Sequence, residues 1–306
     1  MTNVALIFPG QGAQAVGMGK EFYESSPEAK HIFDSADKII SGLTDVIFNG
    51  PPEKLTSTAF CQPAIYTYSF AAFQALKAHS HFQTMNPLFA AGLSLGELTA
   101  VAASGALSFE EALKLIERRS FFMEKATKEK KGAMAAIVNL DRQKLLDLCQ
   151  RTDVEIANFN SPEQIVITGE AEKIAKASSI IAEQQIGRVI PLDVSGAFHS
   201  TLMRSAAYQF KEELDKVDFK TAEFPVVSNV DGQPYAGSED IRDNLAEQIT
   251  SSVQWVDSVE YMAAQGINDF IEIGPGNVLK GLIRRINREL NVHNIKVPED
   301  IESISF

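Results

Sequence analysis

Cysteine, basic charge and long apolar runs are all scarce in this chain. Two cysteines, Cys61 and Cys149, among 306 residues do not make a disulfide framework, which points to a reducing, cytoplasmic setting. No stretch approaches the roughly 18 apolar residues of a membrane-spanning helix. Met1-Thr2-Asn3 brings no basic segment, and Pro9-Gly10 stops the first apolar run early, so the start reads as part of the fold rather than as a signal peptide. Lys and Arg number 28 against 40 Asp and Glu, a net charge of -12. Such a balance argues against nucleic acid as a partner, because no basic excess is there to displace counterions. It argues equally against adsorption to an anionic membrane, and its first meaning is solubility. Five histidines lie scattered, without metal-ligand spacing. His79 and His81, two apart at the end of a helical pattern, are expected to point apart as a surface pair rather than bind zinc.

What the chain does have is apolar residue, 45% of the total, enough for a sizeable core. At about 150 residues per domain, the length allows two domains or one large one. The unbroken apolar run over 4–8 suits a strand buried on both faces, as in a parallel sheet. Helical periodicity follows over 28–40 and 63–78, then a second buried strand over 88–91. A helix over 94–103 comes next. Ser108-Phe109-Glu110-Glu111 has capping-box spacing and opens a helix reaching about residue 125. This alternation indicates an α/β fold with a mostly parallel sheet. From 133 to 192 the order changes to strand, helix, strand, strand, helix, strand, the βαββαβ order of a ferredoxin-like domain. Longer elements then return: a helix over 202–217, a strand over 226–228, a helix over 257–265 and a buried strand over 269–273. The pattern predicts a small domain, 129–195, inserted into a larger one formed by 1–128 and 196–306. The tail after about residue 291 reads as peripheral.

Gly92-Leu93-Ser94-Leu95-Gly96 is a G-x-S-x-G pattern between a predicted strand and a predicted helix, the setting of a nucleophile elbow. It would place the Ser94 hydroxyl at a helix N-terminus, where free N–H groups favour negative charge. The plainer alternative is a turn with Ser94 as helix cap. A serine nucleophile needs a base. His199, in the loop Ser195-Gly196-Ala197-Phe198-His199-Ser200, is the histidine best placed to serve. What orients it stays open at this level; Asp193 is an acid between serine and histidine, but lies so close in sequence that a local cap would also explain it. Phe8-Pro9-Gly10-Gln11-Gly12-Ala13-Gln14 follows the first strand, matches neither common nucleotide-binding pattern, and suits an oxyanion hole. Arg118-Arg119 lie mid-helix, and nothing local says which of them faces inward.

Taken together, these motifs resemble the malonyl-CoA:acyl-carrier-protein transacylases, an acyltransferase family of fatty-acid and polyketide synthesis. The resemblance covers nearly the whole chain. It rests on Phe8 to Gln14, Gly92-Leu-Ser-Leu-Gly-Glu97, Arg119, Asn160-Ser-Pro-Glu-Gln164, Gly196-Ala-Phe-His-Ser200, Gln248 ahead of Val253-Gln-Trp255, and Glu272-Ile-Gly-Pro-Gly276. It implies an α/β-hydrolase-like core with a ferredoxin-like insertion. It implies Ser94 as nucleophile and His199 as base, with the main-chain carbonyl of Gln248 orienting the imidazole in place of an acid. The N–H groups of Gln11 and Leu95 would form the oxyanion hole, and Arg119 would grip the malonyl carboxylate. Asn160 and Gln164 would line the site from the small domain. Phe198 stands in the version of its motif that the family associates with malonyl rather than branched acyl groups. Malonyl-CoA and acyl carrier protein are the implied partners. No cofactor is implied, since the CoA thioester is itself the substrate. One departure is Leu93, where the family usually has His.

Related chains serve polyketide assembly lines, so pathway is less specific than chemistry. Two other readings compete: a serine thioesterase on the same core, which would not need Arg119, and a non-catalytic carrier-binding subunit, which would not need an intact Ser94 and His199. The acidic chain must also meet anionic partners, so positive charge is expected locally at Arg188, at Arg284-Arg285 or over 125–131.

Overall fold

The computed structural model describes residues 1–194 and 196–306; Ser195, four positions ahead of His199 in the sequence, lies outside them. Two four-stranded sheets organise the molecule. In the larger, β1 (Thr2–Phe8), β2 (Met85–Gly92), β7 (Asp269–Ile273) and β8 (Asn291–Ile295) run parallel in the order β2-β1-β7-β8. Val4 to Phe8 of β1 are fully buried, as an apolar run covered by helices on both faces must be. In the smaller sheet, β3 (Gly132–Val138), β4 (Glu155–Ser161), β5 (Gln164–Glu170) and β6 (Arg188–Pro191) pair antiparallel in the order β4-β5-β3-β6. Two helices, Arg142–Thr152 and Ala171–Glu183, supply the helical members of the βαββαβ order.

The edge strand β4 of the smaller sheet is stitched to the segment after Gln248. The Phe159 N–H donates to Val253 O at 2.9 Å, and the Val253 N–H donates to Ala157 O at 2.8 Å. This seam brings β4 alongside the segment that carries Gln248.

Several expectations change. The tail is not peripheral: β8 closes one side of the parallel sheet, Ile295 is fully buried, and Ile301 and Ile304 pack into the core. The expected strand over 226–228 is reduced to single bridges, Ala90 to Val226 and Val227 to Pro234. Pro225 and Pro234 flank it, and each lacks the N–H a ladder needs. The helix expected from Pro63 begins at Thr58, with Pro63 inside its second turn. His79 and His81 do not diverge: their rings stack at 5.2 Å, and the His79 Nδ1 accepts the His81 N–H. The long helix has already ended at Ala78, so helical angles no longer separate them.

Candidate active site

Ser94 ends the β2 turn and precedes the helix Leu95–Ala103. Its φ of 54° and ψ of -102° lie where L-residues rarely sit. The flanking glycines make that turn possible. A Cβ on Gly92 would stand 2.0 Å from the Gly96 carbonyl carbon, and one on Gly96 would stand 2.1 Å from Phe8 O. Strand, turn and helix therefore touch backbone to backbone. Gly10 does the same for the neighbouring loop, since its Cβ would meet Leu93 O at 2.4 Å. This pressing contact sets Gln11 beside the elbow, and both Gln11 and Leu95 line the same cavity. Leu95 is the first helical residue, so its N–H has no carbonyl four residues back within the helix.

His199 is pinned from the small sheet. Thr168 of β5 donates to Phe198 O at 2.8 Å, and Glu155 of β4 accepts from the Thr201 N–H and hydroxyl. The imidazole Nδ1–H donates to the Gln248 main-chain carbonyl at 2.8 Å. Nε2 is thereby left as the acceptor for the Ser94 hydroxyl, also at 2.8 Å. Asp193, the open alternative, lies exposed at the rim of the cavity, and among the described residues no hydrogen bond joins it to His199. Burial, and after it the positive charge of Arg119, hold the His199 pKa down to about 4. The ring is therefore neutral at neutral pH and able to take a proton.

Of the two arginines on the helix Phe109–Glu129, Arg118 is half exposed over Phe122 and faces Glu213, whereas Arg119 is 1% exposed. The Arg119 Nη1 donates to Gln62 Oε1 at 2.6 Å, and Nη2 donates to Gln248 Oε1 at 2.8 Å and to Ser94 Oγ at 3.1 Å. Its buried Nε has no hydrogen-bond partner among the described residues. A buried cation within reach of a serine hydroxyl is chemically suited to receive an anionic group. Burial holds the guanidinium down to about 10, with Glu97 pulling the other way, so it remains charged.

Ser94, His199 and Arg119 open on a cavity of about 500 Å³ between the two sheets. Asn160 and Gln164, from the hairpin joining β4 and β5, line it too, and the Asn160 amide donates to Gln164 Oε1 at 3.2 Å. The buried Asn160 Oδ1 has no hydrogen-bond partner among the described residues. Leu93, Phe198, Val278 and Leu282 are among the apolar residues of its walls. Every site residue named from sequence thus comes to one place.

The chain matches the acyl transferase domain family over residues 5–300. It is 43% identical over 308 residues to the malonyl CoA-acyl carrier protein transacylase of Bacillus subtilis, covering 99% of this chain and 96% of that one. The chain belongs to this transacylase family. The Staphylococcus aureus member is 38% identical over 312 residues, covering 99% of this chain and 98% of that one. Among solved structures, the transacylase of Clostridium perfringens superposes with a TM-score of 0.92 at 36% identity, covering 99% of this chain and 96% of the other. Another, of a type II PKS acyl-carrier protein in complex with its malonyl-transacylase, superposes at 0.93 and 33% identity, covering 99% and 98%.

Four residues around this transacylase site receive no role from the sequence: Gln62, Glu97, Asn229 and Tyr235. Asn229 Oδ1 accepts the Ser94 N–H at 2.7 Å, and its amide donates to Gly92 O at 2.7 Å, so one side chain grips both ends of the elbow. Only Glu97 stood inside a motif, and a Glu in the first turn of a helix reads as an ordinary dipole partner.

Proposed function

We propose that this chain transfers the malonyl group from malonyl-CoA to the phosphopantetheine thiol of acyl carrier protein, through a malonyl-serine intermediate, in fatty-acid biosynthesis. The observation that carries the reading is one serine hydroxyl bonded at once to a neutral imidazole and to a buried arginine. Family membership gives that geometry its substrate.

Ser94 attacks the thioester carbonyl while His199 Nε2 takes the hydroxyl proton. The Gln248 carbonyl keeps the imidazole in the required tautomer and steadies the imidazolium. The N–H groups of Gln11 and Leu95 receive the oxyanion; losing one such donor costs about 100- to 1,000-fold in rate. The intermediate collapses, His199 returns its proton to the CoA sulfur, and CoA leaves a malonyl ester on Ser94. The carrier thiol then gives its proton to His199 and attacks the ester carbonyl; the intermediate collapses, His199 hands the proton to the leaving Ser94 oxygen, and the malonyl group stays on the carrier sulfur.

Arg119 selects the acyl group. A malonyl carboxylate meets a planar cationic fork, whereas an acetyl group leaves that buried charge without an anion. A thioesterase would have no use for this arginine. Asn160 and Gln164 face the cavity as polar contacts for the pantetheine arm. Leu93 supplies an apolar wall where the family usually has His, so His199 acts alone as base. No cofactor enters the cycle. The architecture corresponds to an α/β-hydrolase-like core, 1–128 and 196–306, with a ferredoxin-like insertion, 129–195. A cytoplasmic setting fits the unpaired, buried Cys61 and Cys149. Among the described residues no helix is long and apolar enough to cross a membrane.

Mass spectrometry after incubation with malonyl-CoA is expected to show one malonyl adduct on Ser94, and none in Ser94→Ala. Equal labelling of the alanine variant would sink the assignment.

A further inference from the structure

Glu97 sits three residues after Ser94 and is fully buried. It does not line the cavity, and the proposed reaction gives it no task. A carboxylate taken out of water is costly unless its oxygens are hydrogen-bonded. Here both are. Oε1 accepts the Asn229 N–H at 3.1 Å and the Tyr235 hydroxyl, and Oε2 accepts the Gln248 side-chain amide. We propose that Glu97 is a positioning residue for acyl transfer: it fixes the Gln248 side chain and the Asn229 main chain, and through them holds Ser94, His199 and Arg119 in register. The inference rests on the acyl-transfer reading of the site.

Gln248 is the joint. Its main-chain oxygen accepts from His199, its Oε1 accepts from Arg119, and its Nε2 donates to Ser94 O at 2.9 Å as well as to Glu97. A side-chain amide has an acceptor end and a donor end. On one side stands a guanidinium, which only donates; on the other stands a carboxylate, which only accepts. One orientation satisfies both, and the reverse sets like against like twice. Glu97 thereby dictates which end faces Arg119, and it steadies the residue whose carbonyl holds the base. Through Asn229 it reaches the elbow by a second route, because that residue's side chain ties Ser94 N to Gly92 O. All three partners of Glu97 donate, so they favour the ionised carboxylate against the burial that opposes it.

Glu97→Gln keeps the shape but turns one acceptor oxygen into a donating amide NH2, which then faces either Gln248 Nε2 or the two donors on Oε1. It is expected to fold, by circular dichroism and melting, and to lower kcat for malonyl transfer about 10- to 100-fold. Combined with Gln248→Met, it should lose less than the product of the two single losses, because both act through one side chain. Unchanged kcat, or a loss equal to that product, overturns the proposal. If Glu97→Gln does not fold, Tyr235→Phe decides: it removes one donor from Glu97 outside the cavity lining and should lower kcat at least about threefold. An unaltered rate there overturns it as well. Malonylation of Ser94 in the unaltered chain tests the acyl-transfer reading separately. Its absence would remove that reading, whereas full activity of the Glu97 variant would remove only this inference.

Discussion

Ser94 Oγ accepts a hydrogen bond from Arg119 and donates one to His199. The arginine therefore acts twice, on the hydroxyl and on the basicity of the ring beyond it. Burial and Arg119 together hold His199 to about 4, so the base form persists far below the ordinary range for histidine. The acid limb of kcat/KM for acyl-enzyme formation is expected near pH 4, not near 6.5. In Arg119→Ala one of the two causes is gone, and the limb should move upward; a limb already at 6.5 in the unaltered chain contradicts this account. The same substitution is expected to cut malonyl transfer about 100-fold, with a relative gain for acetyl transfer. Equal loss for both acyl groups would show that Arg119 does not select. At this scale, the serine and the histidine were legible because they stand in short strings tied to a turn or to a family motif, and the arginine through the family resemblance alone. Glu97, Asn229 and Tyr235 were not. Their roles arise from contacts spanning more than a hundred residues of chain, which no local pattern encodes.

The elements around the site are set by apolar run length and by glycine. β1, β7 and the helix opened by Ser108 were readable because burial on both faces, or a capping box, writes itself into a few adjacent residues. The helix Ser238–Glu247 was missed because its sequence is polar and only Ile241, Leu245 and Ala246 are buried. β8 was missed because Asn291, His293 and Asn294 interrupt its apolar positions at the sheet edge. The glycine spacing of the elbow makes a sharper demand. In Gly92→Ala the new methyl would meet the Gly96 carbonyl carbon at 2.0 Å, so strand and helix must part. A shift of that size at Ser94 is expected to slow acyl-enzyme formation about 100-fold in the protein that folds. Rapid-quench mass measurement checks it, and an unchanged rate would mean that the turn tolerates repacking.

Over the whole molecule, two buried groups pull stability in opposite directions as pH changes. His199 binds its proton less readily folded, at about 4, than at its ordinary 6.5. Between those values the unfolded chain holds more protons, so this group makes stability rise with pH. Burial, opposed by hydrogen bonds from Tyr235, Gln248 and Asn229, raises Glu97 to about 7 from 4.5. Between those values the folded chain holds more protons, and stability falls as pH rises. The two effects oppose each other from about pH 4.5 to 6.5. Urea midpoints of Glu97→Gln, in which only the first effect remains, are expected to climb more steeply with pH across this window than those of the unaltered chain. The net charge of -12 poses a related problem for an acidic carrier. Arg284 lies exposed on the helix Val278–Ile286, whose Val278 and Leu282 line the cavity, and Arg188 lies exposed on β6. Arg284→Glu is expected to slow carrier acylation, and to do so less at high salt. Unaltered carrier kinetics at low salt would place docking elsewhere.

The parallel pairing of β1 with both β2 and β7 also governs how the chain comes into being. β1 is made first, yet Val4 pairs with Asp269 on its second side. At about 5–20 residues per second, a ribosome needs roughly 13 to 53 seconds to bridge that separation. For all that time a strand apolar from Val4 to Phe8 has at least one open edge, which is a template for pairing with other nascent chains. Production of this protein is therefore expected to depend on translation speed and on chaperone supply, and a chain stopped just before Asp269 should collect in inclusion bodies.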